Sequence, residues 1–495
     1  MWLGGYRQPA GYGDRLMGWS VPEVPERTPA SACSPWICFF IIFFCVLISV
    51  AWLLFSGSAE ELSSLSSGAW LPLAAAMLVS VMAILTVYLL GWEVQALKAF
   101  YWNSWRLNVH AAWQQHAHQH LCVVNQINLT VSTDCVPQLT GLVAKKDVID
   151  KPTTLLAGEA LIPGISRFEQ LSQALLKQVA LSLANWYPGG ALTVVIQTSA
   201  ASLEQEKQRV ASLWKQHALP WTPTFHVLPA EYPFEFWNNQ LLASHNPVLI
   251  LAIHYRQVNE TLAEFASALL LAPPSLLSAV QQRETVKVFR AMPLQTSELS
   301  AELKELKEMN QQPSSSVGLV WFSGLTAPQR QQLTSAVFEL PLSLRSSAPM
   351  AGLIDFDEGC DRYGHLAGWL MPVAAIEAVN YDMGSQWLVW ADDKQAWAMV
   401  AGRKMPLMNT SPERAQAAPF PAGGMMLAVL LNTLLIWSLG FAFPVWLFSW
   451  WGTITLLAVL GVTLPGLAFA LRKVVASALL PGFFRAAGEH ERNKK

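Results

Sequence analysis

Hydrophobic residues follow two patterns along the chain. Near each end they form unbroken apolar blocks, at residues 35–55, 70–92, 424–443 and 446–471. Each block is about 20 residues or longer, enough for a helix that crosses a bilayer. Between the second and third blocks the runs are shorter and patterned. The middle region is clearest at residues 247–272. Pro247 opens the run VLILAI, which is too short for a helix, rich in branched residues and readable as a strand buried on both faces. A polar connection at 256–260 follows, then a second apolar run at 266–271, closed by Pro273 and Pro274. The same reading predicts strands at 121–130, 192–197, 225–228, 286–291 and 317–323, and helices at 168–183, 203–217, 234–243, 327–338 and 364–379. The segment 297–309 reads as an exposed helix supported by Glu/Lys spacing, and 311–316 as a polar linker. Residues 386–391 and 396–401 read as a closing antiparallel pair. This strand–helix rhythm predicts a layered α/β domain.

The apolar blocks group into two predicted helical hairpins. Trp36 and Trp52 lie near the two ends of the first block, where interface anchors belong. The turns within the two hairpins carry no basic residue. Arg403, Lys404 and Arg414 precede the third block, and Arg472, Lys473, Arg485, Arg492, Lys494 and Lys495 follow the fourth. By the positive-inside rule both termini and the middle region are expected in the cytoplasm, and for a bacterial chain the membrane is the inner one. The expected organisation is a loose tail at 1–34, a transmembrane hairpin at 35–92, a cytosolic α/β domain at 93–423, a second hairpin at 424–471 and a basic tail at 472–495.

Composition agrees with a lipid-bilayer partner. Hydrophobic residues make up 53% of the chain and charged residues 13%, against about a quarter charged in soluble domains. A net charge of −2 gives no electrostatic argument for nucleic acid. The cysteines at 33, 38, 45, 122, 135 and 360 form no CxxC motif, so neither a disulfide framework nor a structural zinc site is expected. No cofactor is predicted: Gly189-Gly190 lacks the lysine and serine of a phosphate loop.

Several constellations remain as candidate sites. His116, His118 and His120 alternate, and on a strand their imidazoles would share one face and suit zinc or copper; the alternative is a solvated polar face. Asp355, Asp357, Glu358 and Asp361 cluster without a complete calcium-loop pattern. Cys360 and His365 have the residue types of a nucleophile and its base. Trp102, Trp105, Arg106 and Trp113 suit a juxtamembrane segment or a core. Trp214, Trp221 and Trp237 suit either a partner face or the interior.

The order running from LTVVIQTSA (192–200) through VLILAIHY, ASALLLA and VGLVWFS to YGHLAGWLMPVAAIEAV (363–379) resembles the thiolase-like fold of the β-ketoacyl synthases, over residues 160–402. The strongest likeness is Gly364-His365-Leu366-Ala367-Gly368, which looks like the family's late Gly-His helix start. The likeness implies a synthase scaffold that has lost its chemistry. The nucleophilic cysteine expected between Phe225 and Phe234 is missing. Ser323-Gly324-Leu325-Thr326 stands where the family has His-Gly-Thr, and Cys360 takes the place of the motif lysine. His365 alone survives, and condensation needs both a thiolate and imidazoles. The resemblance further implies dimers through the sheet edge. It also implies an association with type VI secretion, in which a secreted effector, a toxin or a secretion component is the protein partner. A membrane immunity protein and an acyl-transferring enzyme are the alternatives.

Overall fold

The computed structural model describes residues 24–56, 67–131, 135–144, 154–156, 163–198, 203–228, 234–255, 262–346, 348–359, 368–391, 395–405 and 417–493. The chain forms two compact units, one from Pro22–Ala112 with Thr410–Lys495 and one from Trp113–Asn409. In chain order the main helices are α1 (Pro35–Ser56), α2 (Ser67–Ala117), α3 (Arg167–Trp186), α4 (Leu203–Gln216), α5 (Leu299–Glu308), α6 (Ala327–Glu339), α7 (Leu370–Asn380), α8 (Ala422–Ala442) and α9 (Trp450–Asn493). The strands are β1 (His120–Thr130), β2 (Gly190–Thr198), β3 (Trp221–Leu228), β4 (Val248–His254), β5 (Phe265–Ala272), β6 (Val286–Phe289), β7 (Met292–Leu294), β8 (Val317–Ser323), β9 (Leu353–Asp355), β10 (Ser385–Ala391) and β11 (Ala396–Gly402).

The first unit is helical. Three stretches, Ala74–Ala117 of α2, Ala422–Ala442 and Trp450–Ala487 of α9, are long and apolar enough to cross a membrane, and Pro35–Ala51 of α1 is a shorter apolar stretch. Helix α2 does not stop at Trp92, where the apolar block ends. It runs for 51 residues, about 76 Å at the standard helical rise. Small residues let the helices approach closely. A Cβ on Gly423 would stand 2.6 Å from Leu90 Cα, and one on Gly424 2.9 Å from Ala468 Cα. Buried Glu93 accepts the Gly424 N–H at 2.8 Å, so a carboxylate of α2 meets the positive N-terminal end of α8. Asn432 of α8 donates to Thr463 Oγ1 of α9 at 2.7 Å, an interhelical bond of the kind that joins apolar helices.

The loose tail expected at 1–34 is corrected from Val24 onward, residues 1–23 lying outside the described ones. Trp102 Nε1 donates to Pro25 O (2.9 Å), and Trp92 Nε1 to Ser31 O (2.8 Å). Asn103 pairs with both backbone groups of Arg27. The Arg27 guanidinium lies 3.8 Å over the Trp102 ring, and Arg106 meets Glu26 at 3.4 Å. Trp102 and Trp105 also pack on Phe483. Of the cluster Trp102, Trp105, Arg106 and Trp113, the first three form the floor on which this segment lies, and Trp113 is a core residue of the second unit.

The second unit is a mixed α/β domain. Among the described residues eleven strands join in the order β3-β2-β4-β5-β1-β6-β11-β10-β8-β9, with β7 added on β11. Read outward from the central β1–β6 pair, the two sides repeat each other. Each half has a central strand, an outer helix, a strand, a second outer helix, an edge strand, an inner helical segment, and a last antiparallel strand pair. In the first half these are β1, α3, β2, α4, β3, the segment Phe234–Leu241, β4 and β5. In the second they are β6, α5, β8, α6, β9, α7, β10 and β11.

Side-chain alternation divides the interior accordingly. Val248, Ile250 and Ala252 of β4 join the inner core with α7, Phe234 and Trp237, whereas Leu249, Leu251 and Ile253 join an outer core with α3 and α4. On the other half Leu319, Trp321, Leu388 and Trp390 face inward, and Val320, Phe322, Trp387 and Val389 face α5 and α6. The result is five layers, helices alternating with the two half-sheets. A strand buried on both faces reads as a continuous apolar run, which is why VLILAI stands out in the sequence.

Two expectations are corrected here. The helix read as exposed, now α5, buries Leu299, Leu303 and Leu306; its charges occupy the remaining faces. The stretch read as a polar linker contains Gln311 and Gln312, both buried. Gln311 donates to Ala117 O (2.8 Å) and Arg290 O (3.1 Å). Gln312 donates to Lys404 O and accepts from Ser385 Oγ (2.9 Å). One turn of backbone thus holds both the first residues and the last strand of the domain.

Candidate functional site

In open α/β sheets, ligands bind at the carboxyl ends of parallel strands. β2 pairs in parallel with β3 and β4, and β8 with β9 and β10. Their carboxyl ends carry buried polar residues: Gln197 and Thr198 on β2, His254 on β4, Ser323 on β8 and Asp355 on β9. Such groups are costly inside a protein unless hydrogen-bonded. By the carboxyl-end rule these residues mark the candidate site.

The second-half rim is held by two carboxylates. Asp357 accepts from Ser323 Oγ and from the Gly324 N–H, both at 2.7 Å. Gly324 has φ +72°, and a Cβ there would stand 1.9 Å from Ala391 O, so only glycine fits the turn. Asp355 accepts the Glu358 N–H at 3.0 Å and pairs with Arg330 at 2.8 Å. Thr326 and Gln329 form a capping box that starts α6. Of the acidic residues read as a possible cation loop, Asp355 and Asp357 are thus engaged with backbone and side-chain donors. Asp361 lies outside the described residues. Ser323 donates to a carboxylate already shared with a backbone N–H. That arrangement fixes the turn after β8.

The first-half rim is aromatic. The helical segment Phe234–Phe236 passes into a π turn at Trp237–Leu241, closed by Leu242 N–H on Trp237 O at 3.0 Å. Such turns are rare and frequent at functional sites. Trp237 is fully buried, donates to Phe289 O at 3.0 Å and meets the buried Trp369 ring edge-on at 5.6 Å. Asn238 exchanges two hydrogen bonds with Ala291. Phe234 stacks on Trp397 at 5.1 Å and leans on Trp390 at 5.6 Å. Trp321 donates to Gln386 Oε1 at 2.8 Å. The inner layer between the half-sheets is therefore packed with indole and phenyl rings.

The halves meet where Gly368 approaches Gln197. A Cβ on Gly368 would stand 2.4 Å from Gln197 Oε1. The glycine read as the end of the Gly-His helix start therefore lies against the Gln197 side chain at the β2 terminus. His365 and Cys360 lie outside the described residues, as does 229–233 of the stretch expected to carry the nucleophile.

The histidine triplet is corrected. His116 belongs to α2, His118 follows its last turn and only His120 is on a strand, so the three imidazoles do not share a strand face. His118 is buried and bonds Met309 O at 2.7 Å; His120 Nδ1 lies 2.8 Å from His118 O. Burial holds both imidazoles below the ordinary histidine range. Among the described residues no group of three or more His, Cys, Asp or Glu is placed to hold a metal ion. Trp214, Trp221 and Trp237 are all core residues, so none of them is an exposed partner contact.

Sequence reasoning missed Gln197, His254 and buried Lys287. Lys287 sits opposite Cys122 at the β1–β6 pair and donates to Thr285 O (3.0 Å) and Arg403 O (2.7 Å). Burial pushes the lysine below its usual range and the Cys122 thiol above its own. A charged residue inside a short strand was the available signal for Lys287.

No protein-family model and no curated protein matches the chain. Solved structures similar in part include a variant of OleA from Xanthomonas campestris, with 10% identity, 57% of this chain and 98% of that one covered, and a TM-score of 0.35. A type II polyketide ketosynthase with its acyl-carrier protein has 10% identity, 58% and 99% coverage and a TM-score of 0.39. Human mitochondrial 3-ketoacyl-CoA thiolase has 9% identity, 58% and 99% coverage and a TM-score of 0.34.

Proposed function

We propose that this protein is a non-enzymatic, membrane-anchored binding protein built on a degenerate thiolase-like domain. It acts as an inner-membrane accessory of type VI secretion that docks an effector or toxin. The observation that carries this reading is the Trp237–Trp369 contact in the inner layer. Two fully buried indoles pack against each other in the inner layer between the half-sheets, and on this reading their closed packing leaves no acyl-chain site between them. The duplicated strand order and the Ser323–Asp357 bond, which ties down the position of the family's first histidine, support the same reading. The secretion role rests on the resemblance stated for residues 160–402.

Anchoring completes the proposal. α1 with α2, and α8 with α9, form two hairpins of four transmembrane helices, with both termini and the domain in the cytoplasm. Support comes from the three long apolar helices and apolar α1, and from the basic flanks at Arg403, Lys404, Arg472 and Lys473. The domain pairs with a second copy through its sheet edge.

Affinity capture of the full-length protein in mild detergent from its native host tests the role. Recovery of a toxin or a secretion-spike protein supports it. A toxin whose poisoning this protein alone relieves would assign immunity instead. Recovery of acyl-carrier protein alone would return the domain to acyl chemistry.

A further inference from the structure

The described surface of the α/β domain carries an apolar and basic rim that extends the basic flank at Arg403 and Lys404. The short helix Ala279–Glu284 is started by a Ser278/Gln281 capping box, so its orientation is fixed. Beneath it Leu277 packs on Cys122 and Ala272. Outward it presents Val280 at 64% exposure, with Leu276 at 40% just before it. The last residues of the domain run alongside. Lys287, directly after this helix, pairs in register with Gly402 and donates to Arg403 O. Arg403, Lys404 and Met405 are exposed there, and Arg283 is exposed on the helix itself. Against these three cations the rim holds one exposed acid, Glu284.

We propose that this rim is a docking surface for the face of an anionic bilayer. It rests on the membrane anchoring proposed above. Branched and thioether side chains beside arginine and lysine are the composition that enters the headgroup region, the apolar atoms passing below the phosphates and the cations pairing with them. Charge complementarity selects an anionic lipid surface. Chain length supplies reach: 16 residues separate Met405 from Ala422, the first residue of α8, a tether of at most about 55 Å when extended. A tether of that length lets the rim reach a membrane that α8 crosses, so docking is effectively intramolecular.

The test uses the full-length protein in vesicles of phosphatidylcholine with phosphatidylglycerol, carrying spin-labelled lipid as quencher. An environment-sensitive fluorescent amino acid is placed singly at position 280, at position 457 on exposed Leu457 of α9, or at position 338 on exposed Phe338 of α6. The proposal expects quenching at 457 and at 280, weaker at the latter as for an interfacial residue, and none at 338. Quenching at 280 should be lost in pure phosphatidylcholine and in the double variant Arg283→Glu, Arg403→Glu, with 457 unaffected. If 457 is quenched while 280 behaves like 338, docking is wrong and anchoring stands. If 457 is also unquenched, the anchoring falls and the docking falls with it. A blue shift at 280 without lipid quenching would assign the rim to a protein contact and overturn the proposal.

Discussion

The side chain of Gln311 donates to the carbonyl of Ala117, 194 positions earlier, at 2.8 Å. Ala117 is the last residue of the 51-residue helix α2, so this bond satisfies a helix-terminal carbonyl that has no partner within the helix. His118 reaches Met309 O beside it, and Gln312 ties Lys404, near the end of the domain, to the same turn. Gln311→Leu removes the donor to the buried Ala117 carbonyl and the half-buried Arg290 carbonyl, at a cost of about 1–3 kcal/mol. Thermal unfolding of the full-length protein should show the loss, and hydrogen exchange should rise at 117–119 and 290–292. A change confined to 311–312 would mean that the turn does not clamp these ends.

Trp237→Ala removes one of the buried indoles of the inner layer. Truncating a buried aromatic costs about 3–5 kcal/mol, so the variant should melt well below the parent. The cavity left behind should take up a small apolar probe that the parent excludes. Equal probe uptake by the parent would show that the inner layer already holds open space.

The close contacts of the helical unit make a separate prediction. Gly424→Val forces a side chain into Ala468, and Glu93→Ala strands the buried Gly424 N–H, at about 1–3 kcal/mol for the lost acceptor. Both should lower the temperature at which the protein aggregates in detergent. Gly461→Ala, where a Cβ meets nothing within 4 Å, should be neutral. Equal effects at 424 and 461 would contradict the packing.

Glu302 supplies a pH dependence with a definite sign. Burial, then the nearby Glu305 charge, raises its carboxyl to about 6. The folded state therefore binds a proton more tightly than the unfolded chain, and stability falls as pH rises from the unfolded carboxylate range through about 6. Glu302→Gln should raise the melting temperature at pH 7.5 and leave it nearly unchanged at pH 4.5. A gain of equal size at both pH values would rule out titration as the cause. His118 acts in the opposite direction: burial holds it neutral, so its contribution is lost as pH falls below about 6.5, and His118→Gln should flatten that acid limb.

Much of the domain was legible because its central strands are buried on both faces. Such strands appear as uninterrupted runs, and VLILAI, FASALLLA and VGLVWFS became β4, β5 and β8. The edge strand β9 has three residues, Leu353–Asp355, too few to show a period. Gln311 and Gln312 misled because polarity alone reads as solvent, whereas these amides are buried to satisfy carbonyls from distant parts of the chain. Histidine spacing misled for a similar reason: alternation implies one face only if the backbone is a strand, and α2 continues through His116. The contact of Gln197 with Gly368 joins β2 to the start of α7 across the duplicated halves, and no local pattern encodes a contact between residues so far apart.

The most direct test of the central claim is intact-protein mass spectrometry of the purified full-length protein after incubation with acyl-CoA and acyl-carrier thioesters, with release of free thiol followed in parallel. A non-enzymatic domain predicts an unchanged mass and no thiol release above that from buffer. An acyl adduct that disappears in Cys360→Ala, with thiol released in step, would contradict the account and make the protein an acyl-transferring enzyme.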